Sequence, residues 1–217
     1  MPIIQLHKRK TYQWAIWQIE ESLDDLLTCF DDSSLYKLQT ELFTSKKRQL
    51  EFIVARVLLK SILNEEKEIA YHPNGKPYLK DNSYSISISH SGKYVAVIVS
   101  ASYPVGIDIE LYGERIERLA PRFMREDEIP TLYNGDIRWS YLLHWSAKEV
   151  LFKMLNQENV DFKKHLVIHK FQVENKGSFT AEERKTKKNK QFVMEYKLHS
   201  KFVLTWSLDQ QGFLFLP

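Results

Sequence analysis

The chain has 217 residues, 43% of them hydrophobic and 27% charged, with a formal net charge of +3. That length and composition describe an ordinary globular protein of one large domain or two small ones, with room for a substantial core. So mild a basic excess makes no case for nucleic acid and fits an anionic small molecule or an acidic protein partner.

In chain order, the basic start at His7, Lys8, Arg9 and Lys10 lacks the apolar core and cleavage site of a signal peptide. Residues 11–19 alternate large apolar with smaller groups and predict a strand. Ser22, with Asp24 and Asp25 after it, predicts the start of a helix running to about Phe30. Cys29 lies in that apolar stretch and reads as core. As the only cysteine it excludes an intrachain disulfide and suits a reducing cytoplasm, the location expected here. A second helix is predicted over 34–44. The clearest helix of the first half runs from Ser45 to about Leu63, with Leu50, Val54, Val57, Leu58 and Ile62 at helical spacing. Asn74-Gly75 marks a turn ahead of Lys76-Pro77. Residues 84–100 read as strand, turn at Ser91-Gly92, strand. Runs such as Tyr94 to Val99 are too short to span a bilayer, so no membrane partner is expected. Pro104 opens another strand. Helical text follows over 114–134, then a polar break at Asn134-Gly135-Asp136. A helix is predicted from Ile137 to Leu155, with Trp139, Leu142, Leu143, Ala147 and Val150 on its core face. From 166 on the text is mostly strand, interrupted by a basic hairpin-like segment at 184–190.

Two pieces carry chemistry. Val105-Gly106-Ile107-Asp108-Ile109-Glu110 sets two carboxylates two apart in a strand, hence on one face. Trp145-Ser146-Ala147-Lys148-Glu149 through Lys153 sets a third acid on a helix, with Lys153 four residues on and on the same side. Half-buried acids need a positive partner, and a divalent cation beside a phosphate-bearing ligand supplies one. Taken singly, the first pair also reads as an edge-strand surface and the second as a surface ion pair. Ser89-His90-Ser91-Gly92 sits where a strand enters a turn, a place that can hold an anion. It also reads as a plain hairpin. Arg56 on the 45–63 helix either reaches water or meets a phosphate. Lys76 tips a turn. His165 and His169 are four apart in strand text, too far for one metal ion. No phosphate loop, dinucleotide fingerprint or nucleophile elbow occurs. A faint echo relates VLLKSIL (57–63) to VLFKML (150–155), and HSGKYVAVIVS (90–100) to HSKFVLTWSL (199–208). It suggests two related halves without a flexible linker.

VGIDIE and WSAKEVLFK, with Glu110 and Glu149 thirty-nine residues apart, resemble the paired signature of the 4′-phosphopantetheinyl transferases, in particular their two-lobed Sfp-type branch. Gly75-Lys76-Pro77, Ile88 to Gly92 and Arg56 fall in the same order upstream. The resemblance covers about residues 48–153. It implies an α+β fold of two pseudo-symmetric α/β lobes, residues 1–102 and 103–217. Each lobe would be a small, mostly antiparallel sheet packed on a long helix, with the active site in the cleft between them. It implies transfer of the phosphopantetheine arm of coenzyme A to a serine of an apo acyl or peptidyl carrier protein, releasing 3′,5′-ADP, by a monomer. By the same resemblance Asp108, Glu110 and Glu149 hold Mg²⁺, or Mn²⁺, which binds the same oxygen donors. Glu149 doubles as general base. Lys153 stabilises the leaving phosphate, and Lys148 is a second contact to the pyrophosphate. Ser89 and His90 hold phosphates of coenzyme A, and Arg56 and Lys76 its 3′-phosphate or adenine end. The carrier, a small acidic helical protein, is expected to meet residues around 112–135, including Arg122, Phe123, Met124 and Arg125. An inactive paralogue that binds coenzyme A or a carrier is the alternative reading.

Overall fold

The computed structural model describes residues 3–155 and 157–211. Mixed helices and antiparallel sheets give an α+β fold, and the chain divides into two compact units, one up to Ser102 and one from Tyr103 on.

In the first unit, β1 (Ile3–Lys8) and β2 (Gln13–Gln18) form a hairpin, followed by α1 (Leu23–Leu27), α2 (Ser34–Glu41) and α3 (Lys46–Leu63). The short pair β3 (Ile69–Tyr71) and β4 (Pro77–Leu79) carries the Asn74-Gly75 turn, and Gly75 takes the left-handed φ of +83° that the turn demands. The hairpin β5 (Ser85–Ser91) and β6 (Tyr94–Ser100) completes an antiparallel sheet of order β1-β2-β6-β5. Helix α3 lies on β2 and β6. Its Val54, Val57, Leu58 and Ile62 pack with Ala15, Trp17, Val95 and Val97 in one core. Strand β6 is buried throughout, as its unbroken apolar run and inner position require.

Strand β1 was not expected. Its alternation leaves Ile4 and Leu6 on an exposed face, and the adjoining run of charge masks the pattern. Ser22 does cap α1, in a capping box with Asp25, but the helix stops at Leu27 rather than Phe30. Cys29 therefore lies in a turn, half-buried against the core.

The second unit begins with β7 (Val105–Leu111), then α4 (Arg115–Phe123), α5 (Arg138–Met154) and the single turn α6 (Phe162–His165). Strands β8 (Leu166–Ile168), β9 (Lys176–Glu183), β10 (Gln191–His199) and β11 (Phe202–Leu208) follow. All pairings are antiparallel, in the order β7-β11-β10-β9-β8. Helix α5 lies across β7 and β11, and its Leu142, Leu143, Ala147, Val150 and Leu151 enter the core. The helical text of 114–134 yields a helix only to Phe123, for Met124 is already extended. Beyond it the Glu128 carboxylate accepts the backbone N–H groups of Arg125 and Ile168, an arrangement a continued helix would not allow.

Candidate active site

The sequence places the acids of β7 and α5 together through one close approach. Gly106 faces α5, and a Cβ there would stand 2.7 Å from Met154 Cγ and 3.0 Å from Val150 Cγ1 and its carbonyl oxygen. Without a side chain on Gly106 the helix settles directly on β7, and Asp108 and Glu110, on the same strand face, come under it.

Lys153 Nζ donates to Asp108 Oδ1 at 2.7 Å and to the Ile107 carbonyl at 3.0 Å. Trp145 Nε1 donates to Glu110 Oε1 at 2.8 Å. One residue of each helical turn thus anchors one acid of the strand: Trp145 to Glu110, Lys153 to Asp108, with Glu149 between them on the helix. Asp108 is buried, and Glu110 and Glu149 are half-buried. Burial, then the Asp108 charge, push the Glu149 carboxyl up to about 7, with Lys153 opposing and Glu110 adding to the shift. The structure therefore brings together Asp108, Glu110, Glu149 and Lys153. Among the described residues no three His, Cys, Asp or Glu side chains form a ready cage for a metal ion. The bonds from Lys153 and Trp145 hold two of the acids toward the protein instead.

Lys148 does not belong to this group. Its ammonium is fully buried and donates to Glu128 Oε2 (2.9 Å), the Phe123 carbonyl (2.7 Å) and the Phe162 carbonyl (3.2 Å). All three donors are spent, so a pyrophosphate contact is ruled out and the side chain ties α5 to the segment after α4. The docking surface expected around 112–135 also changes in its named residues 122–125. Phe123 and Met124 are core residues, and Arg125 is engaged with Asp127 and the carbonyls of Lys163 and Lys164. Ile129 and Leu132 are the exposed apolar side chains of that segment.

In the first unit a pocket of about 470 Å³ opens between the start of α3, the β3–β4 pair and the end of β5. Phe52 and Tyr71 give it aromatic walls, and Arg48, Glu51 and His90 its polar groups. Arg48 donates to Glu51 Oε2 at 3.0 Å and to His90 Nε2 at 2.6 Å. The expected residues divide. His90 reaches the pocket, whereas Ser89, its neighbour on the strand, is buried on the opposite face. Lys76 is half-buried, and burial lowers its pKa, while Gly75 and Pro77 on either side line the pocket. Arg56 does not enter it. The guanidinium is 4% exposed, stacks 3.3 Å over the Phe52 ring and donates to the Phe52 carbonyl at 3.0 Å, so it supports the wall from behind. Arg48, two helical turns earlier, is the cation at the pocket. The sequence marked it only by its spacing of three from Glu51 and four from Phe52.

Residues 104–207, which include the paired acids of β7 and the lysine of α5, match the family model of the 4′-phosphopantetheinyl transferase superfamily. Among curated proteins the chain is 29% identical over 113 residues to the 4′-phosphopantetheinyl transferase gsp of Aneurinibacillus migulanus, over 49% of this chain and 46% of that one. The match thus spans a little under half the length of that relative. No helix among the described residues is long and apolar enough to cross a membrane.

Proposed function

We propose that the protein transfers the 4′-phosphopantetheine arm of coenzyme A to a serine of an apo carrier protein and releases 3′,5′-ADP. The observation that carries this reading is the grouping of Asp108, Glu110 and Glu149 with Lys153 under one helix. With Glu149 ionised, three carboxylates against one ammonium leave an excess of two negative charges, which suits a divalent cation with hard oxygen ligands. Mg²⁺ takes one or two protein carboxylates and completes its shell with waters and phosphate oxygens, so a closed cage of three acids is not required. When bound, it would neutralise charge on the pyrophosphate and orient it for attack.

Glu149, with a carboxyl titrating at about 7, suits a general base that takes the proton of the attacking serine hydroxyl. The serine oxygen forms the new bond to the phosphorus that carries the pantetheine. The bond to the bridging oxygen breaks, and that oxygen leaves with ADP. Lys153 would release Asp108 to the cation and steady the departing oxygen with its charge. In the first unit, the cation Arg48 with His90 suits phosphate groups, and Phe52 and Tyr71 suit the adenine face. The test is ADP release from coenzyme A in the presence of apo carrier protein. Glu149→Gln is expected to abolish it, and a retained rate would overturn the assignment of the base.

A further inference from the structure

The register of β7 against β11 sets Thr205 opposite Asp108, as it sets Val203 opposite Glu110 and Ser207 opposite Gly106. Directly opposed residues of an antiparallel pair share a face, so Thr205 stands with Asp108 on the side that α5 covers. Thr205 has no exposed surface, and among the described residues its Oγ1 has no hydrogen-bond partner. The hydroxyl two residues on behaves as buried hydroxyls usually do: Ser207 Oγ donates to the Val193 carbonyl at 2.8 Å. Valine has the shape of threonine, suits a strand equally well and would fill this place without burying an idle donor. A polar group kept dry beside a functional carboxylate, against the interest of stability, points to a role there.

We propose that Thr205 is a positioning residue: its hydroxyl donates to the Asp108 carboxylate when Asp108 turns from Lys153 to a divalent cation. This rests on the reading of Asp108 as a metal ligand. A carboxylate that binds a metal is oriented by hydrogen bonds from behind, and loss of such a bond weakens metal binding about 10- to 100-fold.

The test is a titration of the full-length protein with Mn²⁺ in the presence of coenzyme A, followed by electron paramagnetic resonance, with thermal melting of the metal-free protein alongside. Thr205→Val is expected to weaken Mn²⁺ binding about tenfold or more and to melt at or above the wild-type temperature. Thr205→Ser, which keeps the hydroxyl, is expected to bind Mn²⁺ like wild type. Wild-type Mn²⁺ affinity in Thr205→Val overturns the proposal, as does a loss of affinity accompanied by a fall in melting temperature, which marks a structural role. Asp108→Asn tells this failure from failure of the metal reading itself. Lost Mn²⁺ binding in that variant supports the ligand assignment, and retained binding removes it.

Discussion

Glu149 stays protonated to about pH 7 because burial and the Asp108 and Glu110 charges all disfavour its anion. Its pKa is raised, so the stability it contributes is fully present below the unfolded value near 4.5 and is lost as pH rises through about 7. Glu149→Gln is neutral at every pH. Without metal, the variant should match wild type near pH 4 and exceed it near pH 8 by up to about 3 kcal/mol. Melting curves in a chelator check this, and equal stability at both pH values would contradict the electrostatic account. Lys148 makes the opposite case. Lys148→Met leaves Glu128 buried without its cation and should cost on the order of 3–5 kcal/mol in urea unfolding. Adding Glu128→Gln should recover part of that cost, because the amide oxygen can still accept from Ile168. An unchanged stability with a slowed reaction would instead restore Lys148 to the chemistry. The sequence could not separate Lys148 from Lys153. Both flank Glu149 in one motif, and only the packing of α4 and α6 shows which ammonium is enclosed.

Helix α5 depends on Gly106 for its distance from β7. Gly106→Ala must displace Met154 or the Val150 backbone, and overpacking of this kind costs about 1–3 kcal/mol. Because the displaced turn carries Lys153, the transfer rate should fall further than the melting shift explains. A rate unchanged beside a lowered melting point would show that the acids do not need this approach. In the first unit, α3 presents two arginines with different tasks. Arg48→Ala should weaken coenzyme A binding about tenfold in calorimetry with little loss of stability. Arg56→Ala should mainly destabilise, through the lost packing on Phe52. The reverse result would return Arg56 to the ligand. Most elements were legible from periodicity and turn residues, α3, α5 and the β5–β6 hairpin among them. The helical text after α4 misled because a side chain, Glu128, takes the Arg125 N–H that a continued helix would have satisfied within its own backbone.

Across the whole chain, the strand pair Asp108/Glu110 and the helix pair Glu149/Lys153 were legible because fixed periods set each pair on one face. Their closeness in space was not: it arises from Gly106 and from the bonds of Trp145 and Lys153 across to β7. The pocket of the first unit was half legible. His90 and the turn at Gly75 were visible, but Arg48 looked like one more surface charge in a basic stretch, and the backing role of Arg56 needed the Phe52 ring in place. The proposed function is transfer of the phosphopantetheine arm of coenzyme A to a carrier protein. Its most direct test is the intact mass of apo acyl and peptidyl carrier proteins after incubation with the protein, coenzyme A and Mg²⁺. At least one carrier is expected to gain the mass of a single phosphopantetheine group on its serine, and neither Asp108→Asn nor Glu149→Gln is expected to support the gain. A carrier panel spanning fatty-acid, polyketide and peptide synthesis that stays entirely apo with the wild-type protein would contradict it.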